Sequence, residues 1–357
     1  MDNELLNNKA KQLLENKTLL STKNNELNQN PKDLIFLNNL INDSYPFLWF
    51  IGQFTVFKSI NNILYLIYAN KYNSIISYNI FDDKKINEIK NAHEAEINYL
   101  KYYLDSINYR DLIISLSTDE NNIKVWNIND FELLLNIDNI FHYGYLNSAC
   151  FLNNNNQIFI IACNHNNFGD ELILVYDFKG NKEKQINNSN EETYYIEVYY
   201  DDNLSKNYIL IGNEKGIKSF DYNENKIYHK YYEYKKESDH MDIIINKKNK
   251  VIELIDSCGD GNILIWDFHT ALLLKKIEVC NKGLRKICKW NEEYIFVGCE
   301  DQSIKLVNLN NGEIIKELKC HKNKVLTIKS IFHPKYGKCL ISQGANDANI
   351  KLWIIKS

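Results

Sequence analysis

Residues 256–269, DSCGDGNILIWDFH, read as two extended runs joined by a tight turn, the second ending on Trp266-Asp267. Apolar positions flanking a Gly-Asp-Gly turn are strand–turn–strand patterning. Residues 241–246 and 271–279 add one run before and one after, which makes a unit of four strands. Trp266 and Asp260 belong to an architecture if this pattern recurs, and to a site if it stands alone.

It recurs. SLSTDENNIKVWNI places Trp126 after a similar turn, GANDANIKLWIIKS places Trp353 six residues after Asp347, and GCEDQSIKLVNL keeps Asp301 with Val307 in the Trp position. Weaker copies carry Tyr176 in DELILVYDFKG, Phe220 in NEKGIKSFDYN and Tyr78 in YNSIISYNI. Positions 78, 126, 176, 220, 266, 307 and 353 are spaced by 48, 50, 44, 46, 41 and 46 residues. Seven units of that length, each with strands of five to eight residues between Asn/Asp/Gly turns, predict an all-β repeat architecture.

These repeats resemble those of the WD40 family. The resemblance implies a seven-bladed β-propeller of four-stranded blades. A His precedes three of the Trp residues: His93 before Trp126, His240 before Trp266, and His321 before Trp353. The resemblance also implies a structural tetrad of His, Ser/Thr, Asp and Trp in a blade. Blade 2 supplies His93, Ser115, Asp119 and Trp126, with a turn one residue longer than usual. Near Asp260 the hydroxyl is Ser257 and near Asp347 it is Ser342, both displaced from the family register. The Gly that usually precedes the His is Ala92, Asp239 or Cys320 here.

The seventh unit stops at Ser357, after its third strand, so an N-terminal strand is expected to complete the last blade. Residues 34–41, LIFLNNLI, are the candidate and residues 45–52 the alternative. Upstream, Leu6, Ala10, Leu13 and Leu14 share one face at helical spacing. The expected organisation is a helical extension over 1–32 and a propeller over 33–357.

The chain has 357 residues, 45% hydrophobic and 25% charged, with 24 Tyr and 16 Phe. That is a globular composition rich in strand formers. A net charge of −4 gives no general pull toward nucleic acid or anionic membranes. Residues 1–270 carry −12 and residues 271–357 carry +8. The basic sector, with Lys322, Lys324, Lys329, Lys335 and Lys338, therefore suggests RNA or anionic phosphoinositide as an alternative partner. Eight Cys without a CxxC pair, and an N-terminus without an apolar leader, suit an intracellular protein of cytoplasm or nucleus. No apolar run approaches the length of a membrane span.

Taken alone, His93, Ser115 and Asp119 match the parts of a hydrolase triad. Their recurrence at blade spacing favours a structural role, so no catalytic residue, metal or cofactor is expected. No His/Cys cluster has zinc-ligand spacing. Binding is instead expected in loops on the narrower face. His165 and Phe168 lie in a long loop of blade 3, and family geometry adds Thr118, Gly259, Glu300 and Asn346. Tyr-rich IYHKYYEY, on the outer strand of blade 4, could form a contact belt, although strand propensity alone accounts for it. WDFH has His269 where ubiquitin-ligase adaptor propellers often carry Arg. The expected function is a non-enzymatic scaffold that binds other proteins or peptides within a larger complex.

Overall fold

In each repeat the second strand has an apolar centre, as in Leu64–Ala69, LYLIYA, and Arg110–Ser117, RDLIISLS, and these two are buried along nearly their whole length. Burial on both faces requires layers above and below, and stacked blades provide them. The fourth strands differ: Lys84–Ile89, Lys182–Asn187 and Leu273–Glu278 are rich in charged residues and mostly exposed or half-buried. Lysine and glutamate on an outermost strand discourage pairing with another chain.

The computed structural model describes residues 31–44, 54–117, 119–141, 145–165, 172–187, 191–232, 238–245, 250–319 and 321–356. They form seven four-stranded antiparallel sheets. Blades 1–6 take their strands in sequence order, over residues 54–89, 97–137, 145–187, 193–231, 238–278 and 284–319. Blade 7 consists of Val325–His333, Gly337–Gly344, Ile350–Ile355 and, outermost, Leu34–Ile41. The first strand of every blade contacts the first strands of its two neighbours, blade 1 with blade 7 included, so the ring is closed. The closing strand is the expected one. Residues 45–53, which contain the alternative, and the expected N-terminal helix lie outside the described residues.

Closure depends on both ends of Leu34–Ile41. Leu34 packs with Trp353 and Leu340, while Leu40 and Ile41 pack with Ile350, Leu352 and Phe54 of blade 1. The asparagines have a local role: Asn62, Asn73, Asn121, Asn225 and Asn346 all take positive φ in turns. Asn tolerates that region because its short side chain can hydrogen-bond locally. At Gly261 (φ 90°) only glycine fits, since a Cβ there would lie 1.9 Å from the Cys280 carbonyl oxygen.

One detail decides what faces the axis. In blades 2–7 the inner strand carries a bulge next to its second residue, seen as register shifts at Ile97/Tyr99, Leu146/Ser148, Thr193/Tyr195, Ser238/His240, Leu284/Lys286 and Val325/Thr327. A bulge inserts one residue and so resets which face the following side chains occupy.

Candidate functional site

Blade 7 holds a complete tetrad. Trp353 Nε1 donates to Ser342 Oγ at 2.9 Å, Ser342 Oγ meets His321 Nε2 at 2.9 Å, and His321 Nδ1 meets Asp347 Oδ2 at 2.8 Å. Indole is a donor only, which orders the protons along the chain. Ser342 accepts from Trp353 and gives its own proton to His321 Nε2, so Nδ1–H donates to Asp347. The Ser342 hydroxyl is in register after all, because it lies 11 residues before its Trp, as Ser115 does.

Blade 2 repeats the arrangement with a different acid. Trp126 Nε1 donates to Ser115 Oγ at 2.8 Å, and Ser115 lies 2.7 Å from His93 Nε2. His93 Nδ1 faces Glu120 Oε2 at 3.2 Å, and Glu120 also accepts from Ala95 N–H. Asp119, the expected partner, is exposed at the turn. Ser115–Glu120 and Ser342–Asp347 have the same separation, so the turn has the family length and Glu takes the position expected for Asp.

Blade 5, which holds the opening stretch, lacks the network. By cross-strand register Asp256, not Ser257, occupies the hydroxyl position, and it accepts from Ser238 Oγ at 2.6 Å. Ser257 points to the other face and donates to the His240 carbonyl. Trp266 is buried with no hydrogen-bond partner for Nε1. Asp260 holds its own turn through Asn262 N–H and side-chain amide. His240 is not the tetrad histidine. His93 and His321 stand six residues before the residue that follows the bulge, whereas His240 is itself that residue. It faces the central channel, where its Nδ1 accepts from Ile287 N–H at 3.4 Å.

In blade 6 Cys280 stands where the histidine would be, and its Sγ lies 3.1 Å from Asp301 Oδ2. Cys280, Cys299 and Asp301 bring three ligand-type atoms within 4.8 Å of one another. Burial raises both thiol pKa values, and Lys305 Nζ lies 3.2 Å from Asp301. Protonated thiols and an adjacent ammonium fit a metal poorly, so the trio is better described as a modified tetrad.

A recurring lysine went unnoticed in the sequence. In NIKVW, GIKSF, SIKLV and NIKLW a Lys lies two residues before the aromatic-type position. Lys124 Nζ donates to the Ala92 carbonyl at 2.8 Å, and Lys305 Nζ to the Val279 carbonyl at 3.0 Å. Lys218 pairs with Glu191 at 2.5 Å and Lys351 with Asp347 at 3.3 Å. Each ties the third strand to the incoming loop or the turn acid. The fourfold I-K-x-aromatic/aliphatic repeat was the available signal.

The hydroxyls of Ser115 and Ser342 are fully buried, so each His–Ser relay ends on an indole instead of opening to a substrate. Burial also sets the histidine charge. It lowers the His93 pKa to about 4, against the opposing pull of Glu120, and lowers that of His321 as well. A histidine held neutral in the folded state binds its proton preferentially when unfolded. The resulting stability is fully present above about pH 6.5 and falls as pH drops toward 4. For His93 the loss amounts to about 3 kcal/mol. Urea midpoints measured from pH 7 to pH 4 should fall through this window, and His93→Gln should flatten the decline.

The other expected positions are scattered. On the face formed by the turns between second and third strands, Glu300 pairs with Arg285, and Asn346 is exposed. Gly259 is partly exposed beside Gly283. Thr118 and Phe168 lie outside the described residues, as does the side chain of His165. The five basic-sector lysines do not form one surface. Lys322 and buried Lys324 precede the inner strand of blade 7, while Lys335 and Lys338 follow it. The nine residues between separate the pairs by roughly 25–30 Å. Lys338 donates to the Trp290 carbonyl, and Lys329 lines the channel.

Among the described residues, the tyrosines of the IYHKYYEY run form no exposed belt; Tyr234 lies outside them. Tyr231 is fully buried and donates to the Phe268 carbonyl at 2.6 Å, and Tyr232 donates to Glu191 at 2.7 Å. Tyr228 Oη lies 3.1 Å from His269 Nδ1, whose Nε2 is 3.1 Å from Asp201. His269, which takes the place of the adaptor arginine, therefore joins blades 4 and 5.

No protein-family model matches the chain. It is similar to the U3 small nucleolar RNA-associated protein 21 homolog of Schizosaccharomyces pombe, 24% identical over 111 residues, which are 31% of this chain and 12% of that protein. It is also similar to the WD repeat domain-containing protein 83 homolog of Dictyostelium discoideum, 29% identical over 105 residues, which are 29% of this chain and 31% of that protein. Both matches thus span less than a third of the relative's length. Together with the seven four-stranded blades, these matches support a WD40-repeat propeller.

Proposed function

We propose that this propeller is a non-enzymatic scaffold, a subunit of a larger assembly that docks proteins or peptides on its turn-bearing face, in the cytoplasm or nucleus. The observation that carries this reading is the burial of both His–Ser–acid relays, whose hydroxyls are committed to Trp126 and Trp353. Polar chemistry that might react is used to lock blades, so what remains for function is a rigid ring and its loops. The name of the S. pombe relative refers that protein to a small nucleolar RNA; here it supports membership of an assembly. Among the described residues no helix is long and apolar enough to cross a membrane.

Purification of the tagged chain from its own cells, followed by mass spectrometry, tests the proposal. A defined set of proteins should co-purify in fixed ratio. Glu300→Lys with Asn346→Lys, on the turn-bearing face, should reduce their recovery about tenfold. Lys335→Glu, on the opposite face, should leave it unchanged. Recovery of no stoichiometric partner, or retention through RNA alone that is lost on nuclease treatment, would count against the scaffold.

A further inference from the structure

Buried lysines in this protein have partners as a rule. Lys218 has Glu191, Lys305 has Asp301 and the Val279 carbonyl, Lys351 has Asp347, and Lys124 has the Ala92 carbonyl. In the central channel Lys101 is paired with Glu197, which also accepts from Tyr195 Oη at 2.9 Å. Two lysines break the rule. Among the described residues, neither Lys286 nor Lys329 has a carboxylate within ion-pair distance or an acceptor for its ammonium, and Lys286 is only 4% exposed. Lys286 Nζ instead lies 5.2 Å from the Tyr195 ring centroid.

Both lysines come from the inner strands of adjacent blades, at the residue after the bulge in blade 6 and two positions beyond the matching residue in blade 7. Beside them is a cavity of about 460 Å³ between the inner strands of blades 4–7, lined by Tyr195, Glu197, His240, Asp242, Lys289 and Lys329 among others. Lys289 and Lys329 line this cavity with Glu197 and Asp242, while Lys286, over the Tyr195 ring, and Lys101, paired with Glu197, adjoin it. Burial and mutual repulsion lower the pKa values of Lys286 and Lys329, and burial raises that of Asp242. The two lysine directions describe ammonium groups short of counter-charge, whereas the raised Asp242 pKa reflects burial and repulsion from Glu197. Burial also keeps His240 neutral, and the Ile287 N–H at its Nδ1 leaves Nε2 as a hydrogen-bond donor.

We propose that the channel cavity binds a small phosphate-bearing anion, held by the ammonium groups of Lys286 and Lys329 with a neutral donor from His240. A phosphate dianion matches two ammonium charges, and its oxygens can accept from several donors at once. A cavity of this size takes a small metabolite and excludes a folded partner. Binding would replace the missing counter-charge and restore both lysines to their charged form.

Calorimetric titration of the full chain with inorganic phosphate and with glycerol 3-phosphate, at constant ionic strength set by chloride, tests the site. Both should bind, release of heat should be accompanied by a rise in thermal midpoint, and Lys286→Met or Lys329→Met should each weaken binding by about tenfold or more. Removing an unpaired buried charge in favour of an apolar chain of similar length is tolerated, so these variants should fold. A thermal midpoint equal to or above that of the unmodified protein in chloride checks that they do. Equal phosphate affinity in the folded Met variants would overturn the proposal, since binding would then lie elsewhere. Absence of any phosphate response in the unmodified chain at low salt would overturn it too, because the lysines would then simply be neutral.

Discussion

Ser342→Ala is expected to destabilise the ring by roughly 2–4 kcal/mol, far more than the removal of one ordinary hydrogen bond. The hydroxyl accepts from Trp353 Nε1 and donates to His321 Nε2, and all three residues are buried. Its loss leaves an indole N–H and a ring nitrogen unsatisfied without access to water. Blade 5 supplies the internal control. Trp266 Nε1 already lacks a partner, and Ser257 makes one bond, to a carbonyl. Ser257→Ala should therefore cost only about 1 kcal/mol. The mechanism predicts a coupling as well. With Trp353→Phe there is no indole N–H left to orphan, so the two changes together should cost about 1 kcal/mol less than the sum of their separate effects. Equal costs for Ser342→Ala and Ser257→Ala in urea titrations would sink this account of the tetrad.

Blade number and the closing strand were legible because they depend on periodicity, which every repeat reports. Seven aromatic-type positions near a constant spacing survive the replacement of Trp by Tyr, Phe or Val, since each need only fill the space between neighbouring blades. The site residues were less legible because they depend on register. Asp119 was the natural choice by residue type, yet cross-strand pairing puts Glu120 in contact with His93. Ser257 differs from the position of Ser115 by a single residue in register, and in a strand that moves a side chain to the opposite face. Counting six residues back from Trp126, as Asp347 stands before Trp353, leads to Glu120, whereas Asp256 follows only from the strand pairing.

The channel was illegible for a related reason. Lys101, Glu197, Asp242, Lys286 and Lys329 lie in apolar runs where a charge reads as an exposed strand position. Only the bulge near the start of the inner strands of blades 2–7 turns them toward the axis. Lys329 shows the consequence most clearly, because composition placed it in a basic surface sector while the fold turns it, half-buried, toward the channel. The same bulge makes His240 a channel residue, although it looked like the start of a tetrad.

The largest expected effect belongs to the closing strand. Leu34, Leu40 and Ile41 are buried between blades 7 and 1, and each contributes about 1.5–3 kcal/mol of apolar burial. Together they stabilise by about 5–9 kcal/mol, comparable with the entire folding free energy of many proteins. Leu34→Asp with Ile41→Asp should therefore detach the strand, leaving the Ile350–Ile355 edge unpaired and Trp353 exposed. Exposed strand edges pair with other chains, so the variant should aggregate as it is concentrated. Hydrogen exchange should locate the damage: amides of Ile350–Ile355 should lose protection first, and those of Phe54–Lys58 next, because blade 1 packs on the same cluster. Blade 4, across the ring, should keep its protection longest. A synthetic peptide spanning residues 31–44, added in excess, should bind the open edge and restore both solubility and exchange protection. A double variant that stays monomeric with unchanged exchange at 350–355 would mean that another segment closes the ring.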